Sequence, residues 1–357
     1  MGNTNYKCML RCRTSGKRER SATPPLLLVW LLLIVFPGTG ACESKRTQPD
    51  AAGQKLLVVT TVAPITSMVE NVAGDTVRVT GIIPEGMNSH TFEPVPSDTR
   101  LLAVADLIIM NGLDLEIPTL RLARANKKGD AALLMLGNET ITAKDYVFDF
   151  SFPREQGHPN PHLWLNPPYA MSYTRLIMEA LARLVPDNRT TYENNASAFL
   201  KRLETLDRAI TEAVATIPEP NRRLLTYHDS WPYFARRYGF QVIGAVQPSD
   251  FSDPSPREVA RLIDQIRSER VPAVFGSEVF PSPVLEQIAK ESQTRYIDKL
   301  RDDELPGTSG DYRHSYIGMM LYNIRIMVEA LGGSAKALEG VDPTPVAGAH
   351  ADYRARG

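Results

Sequence analysis

The feature that most limits what this chain can fold into is Asp187–Ile217, a segment with no glycine or proline that stops at Pro218. Its apolar positions, Tyr192, Ala196, Phe199, Leu203, Leu206, Ile210, Ala213 and Ile217, step by threes and fours. One face of a continuous helix is therefore apolar. At 1.5 Å per residue such a helix is roughly 45 Å long. That is too long for the interior of a small lobe, and it predicts a rigid spine running from one lobe to another. A chain of 357 residues has the length for two lobes.

The sequence on either side of the spine has the same grammar. Upstream, short apolar runs at Leu56–Thr61, Val77–Ile83, Leu107–Met110 and Ala131–Leu136 alternate with helical spacings at Ile65–Ala73 and Thr99–Ala105. Pro167–Leu184 is also helical. Downstream, strands are predicted at Arg223–Thr226, Phe240–Ala245, Ala273–Gly276 and Thr294–Ile297. Helices are predicted there at Trp231–Tyr238, Pro256–Arg270, Pro283–Glu291 and Ser315–Leu331. Strand and helix in rapid alternation call for parallel sheets, in an α/β fold with one lobe at 54–186 and another at 218–342. The Ala-, Pro- and Gly-containing tail, 343–357, is expected to be disordered.

Basic residues Lys7 to Arg20, the apolar run Leu26–Phe36 and the small residues before Cys42 form an export signal over 1–42. The apolar run is too short to span a bilayer as a helix. Cys42 follows its small residues as a lipidated cysteine does in a bacterial lipobox, although Thr39 stands where leucine is usual. Residues 43–53 suit a tether. The protein is therefore expected outside the cytoplasm, anchored by lipid at Cys42, or periplasmic if Cys42 is unmodified. The other cysteines, Cys8 and Cys12, also precede the folded body, so a metal held there must use histidine and carboxylate ligands. A net charge of −1 gives no electrostatic basis for binding nucleic acid.

Four stretches carry the chemistry, each after a predicted strand, where parallel sheets bind ligands. They are Gly86–Pro94 with His90, Asn160–Pro167 with His162, Leu225–Phe234 with His228, and Leu300–Pro306 with Asp302 and Asp303. Prolines around His162 stiffen its loop, and a metal ligand must arrive already oriented. Three imidazoles and one carboxylate satisfy four-coordinate zinc, closed to water. Asp229 reads as a cap for the helix beginning at Trp231. Glu93 and Glu278 could orient ligands or simply cap loops, Trp164 suits packing, and Met319 and Met320 suit the core.

From Leu56 to Leu331 the chain resembles the metal-binding lipoproteins of the zinc/manganese ABC importer family, the cluster A-I solute-binding proteins. The similarity is carried by Ser89–Pro94 through Asp98, by Pro161–Leu165, and by His228–Phe234. It continues through Tyr238–Phe240, Ser315–Met320 and Asn323. The resemblance implies two Rossmann-like lobes joined by one long helix, with a metal site in the cleft. It implies ligands at His90 and His162, and a third at a position that is His in zinc-type members and often Glu in manganese-type ones, here His228. It also implies an aspartate before the last helix. Asp298, Asp302 and Asp303 are available, and we assign Asp303, with Asp302 as the alternative.

The cargo implied is Zn²⁺, with Mn²⁺ possible. The implied partners are a membrane permease and its cytoplasmic ATPase, with this chain a monomer and no enzyme. The alternatives are a metal-dependent adhesin on the same fold and a secreted zinc hydrolase, for which no His-Glu-x-x-His motif is present. Asn160 and Asn166 stand where relatives commonly have Asp. Only His158 remains of a histidine-rich loop, and the body lacks the cysteines of a disulfide found in some zinc members. Imidazoles that protonate at about pH 6–7 would surrender the metal on acidification.

Overall fold

The computed structural model describes residues 55–247, 249, 251–277, 283–348 and 351–353, all within one unit, Gly53–Gly357. Cys42, the export signal, the tether and Glu278 lie outside the described residues.

The first lobe runs β1 (Leu57–Thr60), α1 (Ala63–Ala73), β2 (Arg78–Gly81), α2 (Pro96–Val104), β3 (Leu107–Met110), α3 (Ile117–Asn126), β4 (Ala132–Met135) and α4 (Leu136–Thr140). After a long connection come α5 (Pro167–Leu184) and the spine, α6 (Arg189–Ala215), entered through a 3₁₀ turn at Pro186–Asn188. The second lobe runs β5 (Arg223–Thr226), α7 (Pro232–Tyr238), β6 (Gln241–Ala245), α8 (Pro256–Glu269), β7 (Ala273–Ser277), α9 (Pro283–Ser292), β8 (Arg295–Leu300) and α10 (Tyr316–Ala330). Sequence periodicity located these elements to within a few residues, but it missed α3 and α4. The α3 segment, Ile-Pro-Thr-Leu-Arg-Leu-Ala-Arg-Ala-Asn, buries only Thr119 and Ala123, so it shows no wide apolar stripe.

Both sheets are wholly parallel and share one topology, β2-β1-β3-β4 and β6-β5-β7-β8. Helices cover both faces, which is why β1 and β3 are buried at every position. In each sheet the chain reverses its direction of winding beside the first strand, and the loops leaving the strands' carboxyl ends open into a crevice there. The spine spans 27 residues, roughly 40 Å at 1.5 Å per residue. It buries Tyr192, Ala196, Phe199, Leu203, Leu206 and Ile210 against α1, α5 and α10. One apolar cluster runs from the first sheet through this helix into Phe234, Phe275 and Leu300 of the second lobe. A smaller one fills the space under α8 and α9.

The tail does not match the expected disorder where it is described. Val346 N donates to Asn71 Oδ1 at 2.8 Å and Ala351 N to Glu70 Oε1 at 2.9 Å, while Tyr353 OH donates to Glu70 Oε2 at 2.8 Å. Asp352 exchanges two backbone hydrogen bonds with Val79 and Gly81, on the open edge of β2. Composition could not reveal this, because the acceptors that hold the tail lie more than 270 residues away in sequence.

Candidate metal centre

His90, His162 and His228 come to one point, with one ring nitrogen of each within 4.8 Å of the others. His90 sits in the loop between β2 and α2, where its backbone N–H is held by Asn88 Oδ1 at 2.9 Å. His162 opens a 3₁₀ turn, Leu163–Leu165, ahead of α5. His228 is two residues beyond β5, its carbonyl accepting from Thr226 Oγ1 at 2.8 Å. His162 Nε2 lies 3.2 Å from His90 Nε2 and 3.2 Å from His228 Nε2. Both His162 and His228 are buried.

The hydrogen-bond network fixes what those nitrogens carry. Both N–H groups of the Asn160 amide are committed, to Asp149 Oδ2 at 2.9 Å and to the Asp229 carbonyl at 2.6 Å. Its Oδ1 therefore faces His162 and accepts from Nδ1 at 2.8 Å. His228 Nδ1 likewise faces Gln247 Oε1 at 3.0 Å, and Gln247 Nε2 donates to the Phe251 carbonyl at 3.3 Å. An amide oxygen only accepts, so each Nδ1 carries the proton and, in the neutral ring, each Nε2 presents a lone pair. Two lone pairs thus face each other at 3.2 Å. Burial lowers the pKa of His90, His162 and His228, and repulsion from His228 lowers those of His90 and His162 further. The rings are therefore neutral at pH 7, as metal ligation requires.

The carboxylates divide into two groups. Asp303 follows β8, and its Oδ2 accepts from the backbone N–H of Ser89, next to His90, at 3.3 Å. Burial and the neighbouring Asp302 push Asp303 up to about 7, against the pull of Ser89 and His228. Its oxygens are not among the atoms clustered within 4.8 Å. Asp302 is pushed up to about 6 by burial, with a hydrogen bond from Ser230 opposing, and Trp164 Nε1 donates to its carbonyl at 2.8 Å. Trp164 is core, as expected, and it also tethers this segment. Asp298 is exposed in β8, beside the Tyr296 hydroxyl.

On the far side, Asp149 is pushed up to about 9 by burial and by the charge of Asp229. Asp229 accepts from the backbone N–H of Phe150 at 3.2 Å. It joins the two lobes and does not cap α7, whose N-cap is Trp231. Glu93 is exposed, and His158 lies at the surface against Asp114 at 2.8 Å. Asp149, Phe152, Gln247 and Phe251 were not singled out from sequence. They belong to no motif, and only the position of Gln247 just past the end of β6 could have flagged it.

Residues 58–330 match the family model of the zinc-uptake complex component A, periplasmic. The chain is 29% identical over 308 residues to the manganese ABC transporter substrate-binding lipoprotein ScaA of Streptococcus gordonii, covering 84% of this chain and 97% of that protein. It is 28% identical over 287 residues to the iron-binding protein YfeA of Yersinia pestis, covering 80% and 90%. Among solved structures it is similar to the periplasmic zinc binding protein TroA from Treponema pallidum, with a TM-score of 0.71 and 28% identity over 78% of this chain and 99% of that one.

Proposed function

Because this chain belongs to the family of the zinc-uptake complex component A, we propose that it is the extracytoplasmic binding component of an ABC metal importer, capturing Zn²⁺ and delivering it to a membrane permease. Its ligands in this reading are His90, His162, His228 and Asp303, with Asp302 the alternative carboxylate. Capture and delivery involve no chemical turnover. The relatives' names span manganese, iron and zinc, so the family alone does not choose the cargo. The ligand chemistry favours zinc, since imidazole-rich low-coordinate sites suit it and manganese prefers more oxygen. Lipid at Cys42 would keep the protein beside its permease, as the name lipoprotein says of the S. gordonii relative.

One observation carries the proposal. Two buried Nε2 lone pairs directed at each other across 3.2 Å repel unless a cation lies between them. With Zn–N of about 2.0–2.1 Å, tetrahedral ligands stand roughly 3.3 Å apart. The 3.2 Å from His162 Nε2 to His90 Nε2 and to His228 Nε2 supports this reading.

Calorimetry on the purified chain tests this. One Zn²⁺ should bind tightly per molecule, and His228→Ala should weaken it by at least about 100-fold, the upper end of what losing even a supporting partner costs. Unchanged affinity in that variant would remove His228 from the site. Zinc in protein isolated from its native envelope would identify the cargo, and manganese there would overturn that choice.

A further inference from the structure

Among the described residues, two phenyl rings, one from each lobe, cover the three imidazoles. Phe251, in the loop after β6, stacks on the His90 ring with centroids 4.7 Å apart and planes at 24°. Phe152, in the connection before α5, lies 5.5 Å from His90, 5.8 Å from His162 and 6.1 Å from His228. The phenyls meet edge to face at 6.2 Å. Ordinary core packing does not account for them. Phe152 is buried yet belongs to neither apolar cluster, and the rings that Phe251 touches are His90, His228 and Phe152.

The backbone beneath them is built to hold this arrangement. Phe251 adopts φ 60°, a left-handed conformation that is costly for a bulky side chain and persists only where its surroundings impose it. Gln247 supplies part of that constraint, because the amide that orients His228 also binds the Phe251 carbonyl. Ser151 Oγ, beside Phe152, donates to the Gln247 carbonyl at 3.3 Å, so the two covering segments are joined across the lobes.

We propose that Phe152 and Phe251 are specificity-determining residues that occupy the space where water ligands would stand, holding the bound cation at low coordination number. This rests on His90, His162 and His228 being its ligands. A phenyl ring offers no lone pair, so it closes coordination positions that it covers. Zinc is content with four ligands and loses nothing. Manganese favours six, mostly oxygen, and must give up its waters to enter. The roof therefore penalises manganese selectively.

The test is competition titration of Zn²⁺ against Mn²⁺ on the full chain carrying Phe251→Ala, Phe152→Ala or Phe251→Leu. Each alanine variant should lower the zinc-to-manganese affinity ratio at least tenfold, chiefly by strengthening manganese. Phe251→Leu, which keeps apolar cover, should restore most of the preference. Loaded with Co²⁺, the wild type should show the intense visible absorption of four-coordinate cobalt, and the alanine variants the weak absorption of higher coordination. If Phe152→Ala fails to fold, Phe251, which is only partly buried, still carries the measurement. An unchanged ratio in folded Phe251→Ala, with wild-type zinc binding tight, overturns the roof and spares the importer reading. A wild type that binds neither cation overturns both.

Discussion

At the proposed site, the placement of a few protons should set how tightly a cation is held. Nδ1 of His162 and of His228 is protonated because an amide oxygen faces each, which leaves each Nε2 with a lone pair available for the proposed cation. Asn160→Ala and Gln247→Ala should each weaken zinc binding by about 10–100-fold, as loss of an orienting partner does; calorimetry on the two variants checks it. The pH dependence follows from the same inventory. The imidazoles, with lowered pKa, are already neutral in the free protein at pH 7 and have no proton to lose there. Asp303, pushed up to about 7, is partly protonated and would release its proton if it ligates as proposed. Zinc affinity should therefore fall first as pH drops through about 7, and the imidazoles should begin to compete only below their ordinary range. This moves the acid end of release lower than sequence alone suggested. Proton release measured in buffers of different ionisation enthalpy should vanish in Asp303→Asn, and release that persists unchanged would exclude Asp303 as a ligand.

Among the elements, α6 was the most legible, because twenty-seven residues of unbroken amphipathic spacing admit one conformation. The central strands were nearly as clear, since fully buried parallel strands read as apolar runs. α3 was hidden because its exposed surface outweighs its buried face. Legibility follows burial on a fixed period, so elements that pack weakly leave a weak trace. The spine's contribution to stability can be measured directly. Phe199 is 1% exposed on its inward face, and Phe199→Ala should cost about 3–5 kcal/mol in urea unfolding. None of the proposed ligands is touched by that change, so the variant should still bind one cation.

The whole molecule is closed by contacts that join distant parts of the chain. The tail bonds α1 and the edge of β2, while Arg202 of the spine pairs with Asp342 at 3.2 Å. A chain ending at Val341 should lose hydrogen-exchange protection at the Gly81 amide, which donates to the Asp352 carbonyl. The Ile82 amide, which donates to Thr60, should keep its protection and serves as the internal control. Equal protection at Gly81 in both chains would mean the tail is not held in solution. Zinc should stabilise the assembled lobes together, by about 4 kcal/mol at a thousandfold excess over its dissociation constant, read as a rise in Tm that a chelator reverses.

Sequence by itself determined the two α/β lobes, the spine between them and the three histidines, because hydrophobic period and residue chemistry are local and survive in one dimension. The arrangement around those histidines was decided in three dimensions. Which amide faces which ring, that Asp229 bridges lobes, that two phenyls cover the cluster and that the tail returns to β2 all depend on partners far apart in the chain. Such contacts are energies between surfaces that exist only after folding, and no spacing in the sequence encodes them.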